Sequence, residues 1–130
     1  GILKEVIRKY ASTKKILGVC LGMQAIGEVF GGTLINLNKV FHGVATPLTV
    51  TDKSDLLFKS LPAKFNIGRY HSWLISNDNF PEELNITSVE ENGQIMSLTH
   101  KQHQIYGVQF HPESILTDYG KQIITNFLEI

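Results

Sequence analysis

The single cysteine of the chain, Cys20, lies between two glycines in the segment Gly18-Val19-Cys20-Leu21-Gly22. An apolar run precedes this segment and a helical pattern follows it, which places the cysteine at a strand-to-helix turn that can present a nucleophile above a sheet. Side chains at both flanking glycines are expected to clash there. The start of the helix predicts a lowered thiol pKa, and the Leu21 N–H is a candidate oxyanion donor. The alternative is a buried, unreactive cysteine.

A histidine and a carboxylate stand at the end of another apolar strand, in the segment Gln109-Phe110-His111-Pro112-Glu113-Ser114. Cysteine chemistry at neutral pH needs a base that is itself oriented by a third group. In extended backbone His111 and Glu113 leave the chain on the same side, so the carboxylate is placed to fix the imidazole tautomer. The pattern predicts that Cys20, His111 and Glu113 act together; a solvated strand end is the alternative.

Two further histidines, His100 and His103, have a spacing that also occurs in zinc sites. Neither a cysteine nor a carboxylate ligand accompanies them closely in the sequence. This favours residues on the surface of a hairpin, and no metal is expected.

The elements that must position these side chains alternate between helical and strand patterns. Helices are predicted at 2–10, 21–30 and 120–128, with a helical turn at 55–61. Strands are predicted at 15–20, 33–37, 47–51, 65–70, 86–90, 95–99 and 105–110, with a hairpin turn at Asn92-Gly93. These patterns predict one domain over 1–130. Its expected fold is a three-layer α/β structure with a mostly parallel central sheet, flanking helices and an antiparallel extension, with 16–19 and 106–110 as central strands.

The composition argues against several classes of protein. Hydrophobic residues make up 42% and charged residues 18% of the chain, and twelve basic side chains balance twelve acidic ones. No basic stripe favours a nucleic-acid partner, and no apolar run has the length of a membrane span. A lone cysteine fits a reducing compartment, so a cytoplasmic location is expected.

Taken together, these segments resemble class I glutamine amidotransferases over essentially the whole chain. Residues 18–26 match the nucleophile segment of that family, and residues 110–114 match its His–Glu segment. Arg69-Tyr70-His71-Ser72 and the run 109–116, followed by Gly120 and 126–128, are similar to the amidotransferase subunits of anthranilate synthase and aminodeoxychorismate synthase. The resemblance implies a flavodoxin-like glutaminase fold, and these residues do not separate the two branches.

The resemblance also implies the chemistry. Cys20 would attack the side-chain amide of L-glutamine, His111 would move the proton and Glu113 would orient His111. Ammonia would pass to a chorismate-using synthase subunit (component I), without a cofactor. The implied substrate contacts are Leu21, Gln24 and the backbone of Ser72 and Trp73. A helix-surface amide at Gln24 and a plain strand end at 72–73 are the alternatives.

The sequence departs from the family pattern at several positions. Met23 and Val44 stand where the family often has histidine and lysine, and His42 lies where family members contact the partner or shape the site. The strands and the Gly-Pro-Gly loop that open the family domain do not precede Gly1. The domain is therefore expected to be incomplete at its N-terminus and weakly active or inactive alone. A non-catalytic module of the same fold and a free-standing γ-glutamyl hydrolase are the alternative functions.

Overall fold

A computed structural model describes all residues from Gly1 to Ile130. The helices are α1 (Ile2–Tyr10), α2 (Leu21–Val29) and α3 (Gly120–Leu128), with a 3-10 turn at Leu56–Phe58. The strands are β1 (Ile16–Val19), β2 (Leu34–Asn36), β3 (Val44–Val50), β4 (Lys64–Arg69), β5 (Trp73–Ile75), β6 (Leu84–Glu90), β7 (Ile95–His100) and β8 (Ile105–Val108). None of the helices combines the length and the apolar character that a membrane crossing requires.

Six strands form the main sheet in the order β1-β8-β7-β6-β3-β4, and β2 pairs with β5 in a separate ribbon. The predicted α/β fold with flanking helices and an antiparallel extension is confirmed. The sheet is less parallel than predicted, since β1 and β8 run parallel and its other pairings are antiparallel. Short connections join β6 to β7 and β7 to β8, and short connections force antiparallel pairing. β1, predicted to be central, is an edge strand of this sheet.

Apolar side chains on the two faces of the sheet form two cores. On β8, Tyr106 and Val108 pack with α3 and the 3-10 turn, whereas Ile105 packs with α1 and α2. This alternation is what a strand with both faces covered requires. Each large apolar side chain that becomes fully buried contributes about 1.5–3 kcal/mol. The helices are therefore held on opposite faces, which makes the predicted three layers.

Two strands differ from the sequence prediction. β3 begins at Val44, before the predicted start at Pro47, which lies inside the strand although proline is usually kept out of strands. β3 pairs with β6 only over Leu48–Val50, so at Pro47 it has one neighbour, β4, and a proline is tolerated at such an edge. β5, a three-residue strand that pairs with β2, was not predicted. The Asn92-Gly93 hairpin between β6 and β7 is confirmed.

The turn from β1 into α2 is closely packed at one glycine and open at the other. A Cβ at Gly18 would lie 2.7 Å from the carbonyl carbon of Gly22 and 2.6 Å from the Ile26 side chain, whereas a Cβ at Gly22 would meet nothing within 4 Å. The prediction that both glycines prevent a clash is thus correct for Gly18 and wrong for Gly22, because Gly22 faces away from the strand.

Alanine substitutions at these two glycines are expected to differ sharply. Gly18→Ala forces backbone and Ile26 to move apart, and we expect it to lower the free energy of unfolding by about 2 kcal/mol or more. Gly22→Ala lies in the first turn of α2 and is expected to be neutral or stabilising by up to about 1 kcal/mol. Urea unfolding of both variants measures the difference. Equal effects of the two substitutions would contradict the packing described here.

A buried carboxyl group caps the 3-10 turn. Asp55 is 2% exposed, and its Oδ1 accepts a hydrogen bond of 2.9 Å from the Leu57 N–H. Its Oδ2 is buried without a hydrogen-bond partner. Burial raises the pKa of Asp55 to about 6. Ionising this group therefore costs more in the folded protein than in the unfolded chain.

This raised pKa predicts a pH-dependent stability. The contribution of Asp55 is fully present below its unfolded pKa of 3.8 and is lost as the pH rises through about 6. Asp55→Asn keeps an acceptor for the cap and removes the charge. We expect it to raise the free energy of unfolding at pH 7.5 by on the order of 2 kcal/mol, with the gain disappearing near pH 4. Denaturant titrations across this pH range measure the effect.

Asp78→Asn serves as the matched control, because Asp78 is exposed. The control is expected to leave the pH dependence of stability unchanged. If Asp55→Asn showed the same pH dependence as the unsubstituted chain, the ionisation of Asp55 would not be a determinant of stability.

Candidate active site

Cys20 occupies the turn between β1 and α2 in a strained backbone conformation. Its φ is 54° and its ψ is −103°, in a region that non-glycine residues rarely adopt. Its N–H donates to the Val108 carbonyl at 2.8 Å, and its carbonyl accepts the first helical hydrogen bond from Gln24. The side chain does not cap α2. The main chain is thus fixed by β8 and α2, which leaves the thiol to face the cleft.

The environment of the thiol works against its ionisation. Cys20 is 8% exposed. Burial raises its pKa above the ordinary value, and the Glu113 charge also raises it, whereas the Leu21 N–H and the Gln109 amide lower it. The prediction that the helix start gives Cys20 a lowered thiol pKa is therefore wrong. The helix does supply a donor at Leu21, but the loss of solvent around the sulfur outweighs that contribution.

His111 and Glu113 form the imidazole–carboxylate pair that their spacing predicted. His111 Nδ1 lies 2.8 Å from Glu113 Oε2. An ionised carboxylate can only accept, so Nδ1 carries the proton and Nε2 of the neutral ring is left as an acceptor. Nε2 makes no hydrogen bond within the chain. The imidazole is therefore held in the tautomer that a general base requires.

Contacts from β4 and from the segment after Glu113 hold the main chain of His111. Its N–H donates to the Gly68 carbonyl at 3.2 Å, and its carbonyl accepts from Thr117 Oγ1 at 2.7 Å. Thr117 Oγ1 in turn accepts from the Gly68 N–H at 2.9 Å. Thr117 was not identified from the sequence, because a threonine six residues from His111 carries no recognisable signal. These bonds tie the imidazole to the sheet.

An aromatic ring limits the position of the imidazole from another direction. The Tyr70 ring meets the His111 ring edge-on, with centroids 5.1 Å apart, and its hydroxyl is 2.8 Å from Ser114 Oγ. Gly120, at the start of α3, lies so close to the Pro112 carbonyl that any Cβ there would overlap it. The His–Glu segment is therefore packed on both sides.

One cleft of about 830 Å³ contains both halves of the predicted constellation. Its lining includes all seven candidate residues, namely Cys20, Leu21, Gln24, Ser72, Trp73, His111 and Glu113. The thiol and the imidazole face the same space without a hydrogen bond between them; the side-chain hydrogen bond to the sulfur comes from Gln109 at 3.6 Å. The volume is sufficient for a small amino acid.

Gln24 is not the helix-surface amide that one alternative assumed. It is 5% exposed, and its Nε2 donates to the Trp73 carbonyl at 2.9 Å and to Gln109 Oε1 at 3.2 Å. The Ser72 carbonyl accepts from the Leu37 N–H at 2.7 Å. The Ser72 and Trp73 carbonyls are thus already engaged within the chain, so they hold the cleft wall in place.

A buried cation and a neutral histidine support that wall. Arg69 is 1% exposed; its Nε donates to His71 Nε2 at 3.0 Å, and its guanidinium lies 3.7 Å from the centroid of the Phe41 ring. Burial, together with the Arg69 charge, lowers the pKa of His71 to about 4. His71 is therefore neutral near pH 7, and its Nδ1 donates to the Trp73 carbonyl at 2.9 Å. The sequence showed the Arg69-Tyr70-His71-Ser72 motif without assigning His71 this position.

The two histidines with zinc-site spacing, His100 and His103, stabilise a turn. His100 Nδ1 accepts from the N–H groups of Gln102 and His103, both at 3.0 Å, and the two imidazole rings stack with centroids 4.5 Å apart. His100 is 7% exposed, so its predicted surface position is wrong: the side chain turns inward and meets the Phe30 ring. The structure gathers no group of three or more His, Cys, Asp or Glu residues able to hold a metal ion.

Comparisons with known proteins point to one family. The chain matches the family described as "Glutamine amidotransferase class-I" over residues 1–130. It is 48% identical over 128 residues to a Haemophilus influenzae protein provisionally designated anthranilate synthase component II, covering 98% of this chain and 66% of that protein. It is 42% identical over 128 residues to aminodeoxychorismate synthase component 2 of Escherichia coli, covering 98% of this chain and 67% of that one.

A solved structure agrees with this assignment. A Thermoplasma acidophilum protein, provisionally designated as one subunit of GMP synthase, superposes with a TM-score of 0.86 at 29% identity, covering 98% of this chain and 61% of the other. The chain thus spans about two thirds of the length of these relatives. The family match over every residue, the similarity to these relatives and the shared fold agree: the chain belongs to the class I glutamine amidotransferase family.

Proposed function

We propose that the protein containing this chain hydrolyses L-glutamine to glutamate and ammonia through a thioester on Cys20. One observation carries the proposal: in a chain of this family, a thiol on a strained turn and an imidazole–carboxylate pair line one cleft. Nucleophilic catalysis by cysteine uses such a combination of thiol, base and orienting group.

The proposed chemistry follows from the positions of the groups. Cys20 Sγ forms a bond to the side-chain carbonyl carbon of glutamine, while His111 Nε2 takes up the thiol proton. The Leu21 N–H at the start of α2 donates a hydrogen bond to the developing oxyanion. The C–N bond then breaks, and His111 delivers its proton to the leaving ammonia. Water, deprotonated by His111, attacks the thioester carbonyl carbon. The C–S bond then breaks, glutamate leaves, and His111 returns the proton to the sulfur to restore the thiol.

Glu113 and the buried wall contribute orientation. The Glu113 carboxylate holds His111 Nδ1 as a donor and stabilises the imidazolium that forms after proton transfer. Sγ and the imidazole are not hydrogen bonded in the free protein, so substrate binding must bring them together, as is common for catalytic pairs that tighten in the substrate complex. The strained turn at Cys20 and the Gln109 contact restrict where the sulfur lies during this approach.

The relatives suggest where the ammonia goes. Several of them are named as component II subunits of anthranilate synthase or aminodeoxychorismate synthase. We propose that this protein likewise delivers ammonia to a chorismate-using synthase subunit. The identities of 48% and 42% to the two kinds of relative are too similar to favour one product.

Covalent labelling tests the nucleophile. A chloroketone analogue of glutamine is expected to modify the natural protein once per chain at Cys20, and Cys20→Ala is expected to abolish both the labelling and glutamate release. Intact-mass spectrometry measures the first and a coupled glutamate assay the second. Labelling elsewhere, or glutamate release that survives Cys20→Ala, would remove the thiol from the mechanism. Absence of glutamate release by the natural protein even with its synthase partner would favour a non-catalytic module.

Substitution of the imidazole and the carboxylate tests the proton transfer. His111→Asn removes the general base, and we expect kcat for glutamate release to fall by about 10²–10⁴-fold. Glu113→Gln keeps the shape but removes the charge that stabilises the imidazolium, so a smaller loss of at least about tenfold is expected. His103→Asn is the matched control, since His103 lies outside the cleft. A loss in the control as large as that in His111→Asn would refute the assignment.

Co-purification tests the partner. If the protein is an amidotransferase subunit, it is expected to form a complex with a chorismate-using synthase and to supply that enzyme with ammonia from glutamine. A protein that releases glutamate at full rate without any such partner would instead be a free-standing hydrolase.

A further inference from the structure

Gln109 is a wholly buried amide whose two ends are both fixed. It follows β8 directly, is 0% exposed, and its main-chain N–H donates to the Met96 carbonyl at 2.8 Å. Its side-chain Oε1 accepts from Gln24 Nε2 at 3.2 Å, and its Nε2 lies 3.6 Å from Cys20 Sγ. The proposed reaction gives this side chain no part beyond limiting the position of the sulfur that it contacts.

The direction of these hydrogen bonds follows from a main-chain carbonyl. The Trp73 carbonyl can only accept, so the group of Gln24 that lies 2.9 Å from it must be the NH₂ group. The second hydrogen of that NH₂ group then points at Gln109, whose facing atom must be the carbonyl oxygen. The amide of Gln109 consequently turns its own NH₂ group towards the sulfur. Reversing either amide would set two donors or two acceptors against each other.

The hydrogen bonds on the other side of the Trp73 carbonyl also have only one allowed direction. Arg69 has donors only, so the His71 nitrogen that faces it must be an acceptor. The remaining His71 nitrogen is then protonated and donates to the Trp73 carbonyl. Both partners of this carbonyl are donors, and each hydrogen bond leading to the cysteine has one allowed direction.

We propose that Gln109 is a positioning residue that directs an N–H donor at Cys20 Sγ and thereby favours the thiolate over the thiol. The inference rests on the proposed function, because a thiolate matters only if Cys20 is the nucleophile. Hydrogen bonds to a charged acceptor are stronger than those to a neutral one, so the donor stabilises the ionised sulfur selectively. Burial disfavours the thiolate at this position, and Gln109 is the side chain that opposes burial.

Two substitutions separate the donor from the volume of the side chain. Gln109→Met keeps a long side chain and removes the N–H, while Gln109→Glu keeps the shape and replaces the donor with a carboxylate. The measurement is the pH midpoint of Cys20 alkylation by iodoacetamide in the natural protein and its variants. We expect Gln109→Met to raise the midpoint by about one unit, which is about tenfold less thiolate at pH 7. Gln109→Glu is expected to raise it further, because a negative charge then faces the sulfur.

Asn126→Leu is the control for the general loss of a buried amide. Asn126 is 5% exposed on α3, and its Nδ2 donates to the carbonyls of Leu57 and Lys59 away from the cleft. This variant is expected to unfold at a lower denaturant concentration while its alkylation midpoint stays unchanged.

The outcomes distinguish the inference from the function on which it rests. An unchanged midpoint in both Gln109 variants, or an equal shift in Asn126→Leu, would overturn the assignment of Gln109 and leave the glutaminase proposal intact. Failure of a glutamine-like electrophile to label Cys20 in the unsubstituted protein, together with no release of glutamate, would overturn the glutaminase proposal itself.

Discussion

The site depends on the parallel pairing of β1 with β8. The register sets Val19 opposite Val108, and the Cys20 N–H continues the ladder by donating to the Val108 carbonyl. Both strands therefore end at the same edge of the sheet, where side chains that follow parallel strands collect. The thiol follows one strand immediately and the imidazole follows the other three residues later. A shift of this pair by one residue would turn the side chains of β8 to the opposite faces and separate the two groups.

The position of Cys20 at this edge of the sheet sets the burial of its sulfur against the ionisation that a nucleophile needs. A nucleophilic sulfur needs to ionise, yet the fold encloses it and raises its pKa. Donors from the first N–H of α2 and from a buried amide oppose this effect. Asp55 shows the same conflict beside the 3-10 turn: its Oδ2 is buried without a hydrogen-bond partner, and burial raises its pKa to about 6. Desolvation dominates wherever too few donors reach a buried group that can carry a negative charge.

In the buried polar network behind Cys20, each hydrogen bond has one permitted direction from donor to acceptor. Arg69, His71, the Trp73 carbonyl, Gln24 and Gln109 form a continuous series of hydrogen bonds from the back of the cleft to the sulfur. Because the Arg69 guanidinium can only donate and the Trp73 carbonyl can only accept, each hydrogen bond of the series has one allowed direction. Buried networks of this kind specify a unique arrangement because misdirected groups are expensive to bury. Met23, where the family often has histidine, is fully buried in the core beside α2, so this departure lies away from the cleft surface.

The sequence by itself determined the local features of the protein. The strand-to-helix turn at Cys20, the pairing of His111 with Glu113, the Asn92-Gly93 turn and the three helices each depend on residues close in the sequence, and each was predicted in its correct place. The tertiary structure alone decided the sheet order, the strand at Trp73–Ile75, the open space at Gly22, the direction of the Cys20 pKa shift and the contact of Gln109 with the sulfur. The reason is physical: strand pairing, steric contact and desolvation are set by atoms that are distant in the sequence and become neighbours only when the chain folds.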